Sequence, residues 1–211
     1  GGDLAYRHAA EIDTYDMYCG HSSSLVAVHA QKLSQAFIEL VRSPELRMTM
    51  GKNGALRAKQ NYDWSKIIPR YEELWDEQKR IRSAAQRVRD DGSQRKPPSQ
   101  ATWPARMDPT ISFAKYPTKH LTRATELQLT EPSAACALAK LAQYKELAMV
   151  NFASHVFPSV EELELLFKQA ESNLPSACTA EALISEIPPQ RQPYVLRAIA
   201  WLCKLGLLQF S

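Results

Sequence analysis

Apolar side chains first recur at helical spacing at Leu33, Phe37, Leu40 and Val41, with Ala36 on the same face. Positions three and four apart share one side of an α-helix, so this run predicts an amphipathic helix. Ser43-Pro44-Glu45 reads as a restart: a capping serine, a proline at the first helical position and an acid in the first turn. The helix it opens carries Leu46, Met50 and Leu56. Gly51 and Gly54 weaken its middle, each by up to about 1 kcal/mol relative to alanine, and mark either a break or tight packing. Asp63 is a good N-cap for a third helix, whose apolar stripe is Trp64, Ile67, Ile68, Tyr71, Leu74 and Trp75. Pro69 lies past the first turn of that helix and predicts a kink or a split. From Asp76 to about Arg89 the pattern turns charged, as in a solvated continuation.

The flanking regions are organised differently. Residues 1–24 are polar, aromatic and poorly periodic, which predicts a loop with one short helix; Val26 and Val28 read as the end of a short strand. Residues 91–125 hold Gly92, Pro97, Pro98, Pro104, Pro109 and Pro117 among Ser, Gln, Lys and Arg, so no helix runs through them. A linker of this length marks a domain boundary, with Trp103, Met107, Ile111, Phe113 and Tyr116 as the residues able to pin it to a surface. Periodicity returns in residues 126–211. Thr130-Glu131-Pro132 predicts the start of a helix to about Ala148, with Leu138, Leu141 and Leu147 inward. Ser159 and Glu162 form a capping box ahead of Leu163, Leu166 and Phe167. Thr179 caps a short helix, Ala180 to Ile187, ended by Pro188-Pro189. A further helix carries Val195, Leu196, Ile199, Leu202 and Leu205, with Gly206 as its C′ residue and Leu207 to Phe210 as a short strand or apolar tail.

Composition narrows the classes. The 211 residues suit one domain or two small ones, and the hydrophobic share of 45% and charged share of 23% are those of a globular chain. A net charge of +3 names no polyanionic partner by itself. Cys19, Cys136, Cys178 and Cys203 form no C-x-x-C pair and fit a reducing cytosol. His8, His21, His29, His120 and His155 form no ligand motif, so the spacing favours structural or surface roles and assigns no metal site. No apolar run reaches the roughly 18 residues needed to cross a bilayer, and no signal peptide is evident at Gly1. A start at Gly1-Gly2 without Met reads as a piece of something longer.

Between Leu33 and Trp75 the pattern becomes specific. Leu33 to Leu40 leads to Ser43-Pro44-Glu45-Leu46-Arg47, then Met50-Gly51-Lys52-Asn53-Gly54-x-x-Arg57, Tyr62-Asp63-Trp64, Ile67-Ile68 and Tyr71-x-x-Leu74-Trp75. This order and spacing resembles the end of group 1 (family 4) retaining glycosyltransferases of the GT-B fold, over residues 1 to about 82. The resemblance implies that residues 1–90 are the C-terminal helices of a GT-B donor domain; with the linker read at 91–125 and the small helical domain at 126–211, the chain is expected to be mainly α. It also implies a parent enzyme that moves a sugar from a nucleotide-sugar donor to a glycan, lipid or small-molecule acceptor. The family's donor site uses an E-x7-E pair in a Gly-rich context, and this chain has none; Glu164 and Glu171 come nearest, in a leucine-rich segment. No catalytic or cofactor-binding residue is therefore carried over. What remains is a docking stripe, Trp64, Ile67, Ile68, Tyr71, Leu74 and Trp75, expected to meet the upstream GT-B domains of the same protein. Packing of that stripe within the chain itself is the other reading of the same residues. Gly20-His21-Ser22-Ser23-Ser24 lacks the lysine of a P-loop and reads as an ordinary loop.

Residues 126–211 resemble a winged-helix type of helix-turn-helix: a short helix from Thr179, a Pro-Pro turn, a longer helix from Val195 and a first wing strand at Leu207 to Phe210. Charge argues against DNA. This region holds nine acids and six bases, and the longer helix offers only Arg191, Arg197 and Lys204. A protein partner or a bracing role fits better, with a nucleic-acid-binding regulator and a pure scaffold as the alternatives. The basic run from Arg80 to Lys96 is read as a solvated helix end or, alternatively, as peripheral contact with an anionic membrane surface in the cytoplasm.

Overall fold

The computed structural model describes residues 1–90 and 107–211 of the chain. It is mainly helical with one small sheet. Two compact units emerge, one of Gly1–His29 with Thr102–Ser211 and one of Ala30–Ala101. The amino-terminal segment thus packs with the carboxy-terminal region, whereas the sequence reading grouped residues 1–90 together. Gly92, Pro97, Pro98, Trp103 and Pro104 lie outside the described residues.

The second unit consists of α3 (Ala30–Arg42), α4 (Pro44–Asn61) and α5 (Trp64–Asp90). Its punctuation follows the local chemistry. The Ser43 hydroxyl accepts from the Leu46 N–H at 3.1 Å, with Pro44 opening α4. The Asp63 carboxylate accepts from the Ser65 N–H at 2.9 Å ahead of α5. Arg47 donates to the Leu40 and Val41 carbonyls and so covers the end of α3. Of the kink or split expected at Pro69, the split does not occur: helix α5 runs on through it. Helix α4 is continuous across Gly51 and Gly54, which corrects the expected break, and among the described residues nothing outside the helix's own backbone lies within 4 Å of where a Cβ at either would sit.

The first unit begins with α1 (Gly2–Ala9) and α2 (Tyr15–Ser24), two helices where a loop with one was expected. Weak hydrophobic patterning hid α2, whereas α1 is patterned but only eight residues long. Val26 and Val28 lie in irregular chain rather than a strand. Within the expected linker, Pro109 is buried and opens the short helix α6 (Pro109–Ser112), and the Met107 carbonyl accepts from the Tyr18 hydroxyl. Ile111, Phe113 and Tyr116 are exposed and pin nothing.

Strand β1 (Glu126–Leu129), which was not anticipated, alternates an exposed or half-exposed residue with the buried Leu127 and Leu129. Helix α7 (Ala134–Lys145) starts after Ser133, later than expected, and Leu147 beyond its end is exposed. After a short helix α8 (Ala148–Asn151) and a turn at Ser154–Val156 comes α9 (Val160–Ser172), opened by the full Ser159/Glu162 capping box. Strand β2 (Cys178–Thr179) leads into α10 (Ala180–Leu183), shorter than its expected run to Ile187, with the Thr179 hydroxyl as its cap. Helix α11 (Gln192–Lys204) and β3 (Leu208–Phe210) complete the chain. Both outer strands pair antiparallel with β1, giving the order β2-β1-β3.

Gly206, at φ +69°, reverses the chain between α11 and β3. The Leu207 N–H donates to the Leu202 carbonyl and the Gly206 N–H to the Cys203 carbonyl, the two bonds of a Schellman motif. The core lies between the sheet and helices α7, α9, α10 and α11. Phe167, Leu163, Leu166, Leu183, Ile199 and Leu202 are fully buried there, and the Phe157 ring stacks on Trp201 at 4.1 Å.

Candidate functional site

Two features of the described chain invite a functional reading, one in each unit. The first is the stripe on α5. Trp64, Ile68, Tyr71, Leu74 and Trp75 are exposed, and Ile67 is half-buried. Tyr71 and Trp75 touch each other with ring centroids 6.0 Å apart. On α3, Leu33, Phe37 and Val41 are exposed as well, and on α4 so are Met50 and Leu56. No residue between 30 and 87 is buried. Helices of these lengths draw most of their stability from burying an apolar face, so these three leave that source unused within the described residues. Among the described residues, the alternative expectation of a core formed by these side chains is not met.

The second feature was not found from the sequence. It joins Asp13, His21 and His155, which are widely separated in the chain. Helix α1 ends with Glu11 at φ +57°, a left-handed conformation in a non-glycine residue. The Ile12 N–H donates to the Arg7 carbonyl at 2.9 Å and the Glu11 N–H to the His8 carbonyl at 3.2 Å, a second Schellman turn. That reversal brings Asp13 beneath Arg7. The Arg7 guanidinium clamps the Asp13 carboxylate through two bonds, Nε to Oδ2 at 2.7 Å and a terminal nitrogen to Oδ1 at 2.8 Å. Thr14 then caps α2, which carries His21 inward.

Asp13 is 3% exposed and His21 1%. His21 Nδ1 lies 3.4 Å from Asp13 Oδ2, and His155 Nε2 lies 3.6 Å from Asp13 Oδ1. One ligand atom from each of the three residues falls within 4.8 Å of the others. The imidazoles meet edge to face at 5.0 Å, while Phe152 stacks on His21 at 5.5 Å. Neither ring nitrogen of His21 has a hydrogen-bond partner among the described residues. The hydrogen bond from Arg7 holds the Asp13 carboxyl below the usual carboxylate range. Burial pushes the His21 imidazole down, and the charge of Asp13 offsets this only in part. The result is an anionic carboxylate between two imidazoles, the buried one neutral.

Other reactive groups are quieter. Burial pushes the Cys203 thiol up to about 12 and raises that of Cys178, so neither is a thiolate at neutral pH. Gly20 to Ser24 belong to α2 rather than to a loop, and the Ser22, Ser23 and Ser24 hydroxyls donate back to carbonyls of that helix. Glu164 and Glu171 both lie on α9, where Glu164 pairs with Lys168 at 4.0 Å. Among the described residues no helix is long and apolar enough to cross a membrane. No protein-family model, curated protein or solved structure matches the chain.

Proposed function

We propose that this chain is a non-catalytic, carboxy-terminal portion of a GT-B glycosyltransferase, in which α3, α4 and α5 dock against the Rossmann-like donor domain of the same protein. The observation that carries the reading is uncovered apolar surface: α3, α4 and α5 leave Phe37, Leu56, Trp64, Tyr71 and Trp75 exposed, without one buried residue between positions 30 and 87. Each large apolar side chain gains about 1.5–3 kcal/mol on full burial, so covering Trp64, Tyr71 and Trp75 alone is a substantial driving force. The sequence order from Ser43 to Trp75, which resembles that family, supplies the identity of the cover. The parent enzyme would transfer a sugar from a nucleotide-sugar donor in the cytoplasm, with the donor site in the upstream domains.

The 126–211 region is a helix-turn-helix-like brace or protein-binding module in this reading. Its candidate recognition helix is α11, and the two bases of that helix, together with Arg191 at its N-cap, are already engaged inside the chain. Arg191 is bonded twice to Glu162, at 2.7 and 3.0 Å; Arg197 twice to Asp3, at 2.6 and 2.7 Å; Lys204 donates to the Ser23 carbonyl at 2.9 Å. Phosphate binding would have to break these contacts, which weighs against DNA.

The test is binding of this chain to a separately purified GT-B donor domain from the longer protein, alongside titration with nucleotide-sugars. Association weakened at least tenfold by Tyr71→Ala or Trp75→Ala, with no nucleotide-sugar binding by this chain alone, is expected. Nucleotide-sugar binding by the isolated chain, or association indifferent to both substitutions, would refute the proposal.

A further inference from the structure

We infer that Asp13, His21 and His155 form a binding site for a single divalent transition-metal ion of the zinc class, which ties the amino-terminal helices to the carboxy-terminal region. His21 is the starting point. A fully buried imidazole with both nitrogens unbonded is costly, and native interiors seldom leave such a group without a partner, a water or an ion. Its Nδ1 faces the Asp13 carboxylate, the one buried anion in its surroundings among the described residues.

The spacing suits a metal better than it suits hydrogen bonds. Two ligand atoms on a tetrahedral zinc ion, each at about 2.0–2.1 Å, stand roughly 3.3 Å apart. His21 Nδ1 lies 3.4 Å from Asp13 Oδ2 and His155 Nε2 lies 3.6 Å from Asp13 Oδ1, both long for hydrogen bonds, and one ligand atom from each residue falls within 4.8 Å of the others, a spacing that one ion bridges after small side-chain shifts. Two imidazoles and one carboxylate form a donor set suited to zinc and its neighbours in the first transition row.

The surroundings match what metal ligands require. Arg7 takes the Asp13 carboxylate in a bidentate grip, which fixes its orientation while each oxygen keeps a further lone pair. Phe152 stacks on His21 and shields one side of its ring. The His155 side chain is 34% exposed, so an ion has an entry path there, and its fourth position on that side is left open to solvent. Asp13 and His21 come from the α1–α2 segment and His155 from the turn after α8, so one ion closes a long loop of chain. Binding to the folded state alone then stabilises that state.

The experiment titrates the full, metal-free chain with Zn²⁺ by calorimetry and with Co²⁺ by visible absorption, and follows thermal unfolding. Cys19→Ser and Cys136→Ser replace the exposed thiols throughout, to remove competing ligands. One ion per chain is expected, with tetrahedral-type Co²⁺ bands and a midpoint that climbs with Zn²⁺ concentration. His155→Ala is expected to weaken binding at least tenfold while keeping the far-ultraviolet circular dichroism of the parent, since His155 is half-exposed. Asp13→Asn should do the same if it folds. Absence of binding by the parent chain, or unchanged affinity in His155→Ala, overturns the assignment and leaves the cluster as a buried ion pair flanked by histidines.

Discussion

Glu11 and Gly206 occupy the same place in two copies of one motif, the left-handed residue after a helix, at φ +57° and +69°. Glycine takes that conformation freely; glutamate does so at a cost of roughly 1–2 kcal/mol. Opposite substitutions should therefore have opposite signs. Gly206→Ala is expected to destabilise the first unit by about 1 kcal/mol, because open space around it leaves backbone strain as the only effect. Glu11→Gly should stabilise it by up to about 1 kcal/mol, since relief of strain exceeds the added freedom of the unfolded chain. Urea unfolding midpoints of the two variants measure both. Gly206 was legible in the sequence because glycine after a periodic helix is a strong signal. Glu11 was not, because glutamate carries no preference for that conformation. The Asp13 cluster was hidden for the same kind of reason: its geometry depends on that turn and on a contact with distant His155.

At the scale of elements, caps and apolar periods read well and their limits read poorly. Ser43, Asp63, Ser159 and Thr179 each cap the helix that their side chains announced. The short strand β1 escaped notice, because Glu126-Leu127-Gln128-Leu129 alternates over too few residues to separate from a loop. Helix α4 offers a direct prediction. Its Gly51 and Gly54 face open space, so Gly51→Ala and Gly54→Ala should each raise helicity and add up to about 1 kcal/mol to helix stability in this chain. Circular dichroism at 222 nm reads this. In the longer protein, a loss of stability from the same changes would reveal a surface packed against those glycines.

Across the molecule, Glu162 connects two helices: it completes the box that opens α9 and receives two bonds from Arg191 at the start of α11. The hydrogen bonds from Arg191 hold the Glu162 carboxyl below its usual value, despite partial burial. A depressed carboxylate stabilises the fold above its unfolded pKa, about 4.3, and that contribution is lost as pH falls through the lower folded value. Glu162→Gln should therefore cost on the order of 1 kcal/mol at pH 7, a modest figure because Arg191 is partly solvated. The difference from the parent should shrink as the pH falls below about 4; a constant gap across pH 3–7 would show that packing, not charge, carries it.

One unit is built around a core, while the other presents its apolar stripes unburied among the described residues. Amide hydrogen exchange, resolved by peptide, reads this contrast. Slow exchange is expected in α7, α9 and α11, and fast exchange in α3, α4 and α5 that slows when a GT-B donor domain is added. Protection in α3 to α5 equal to that of α11 in the chain alone would contradict it.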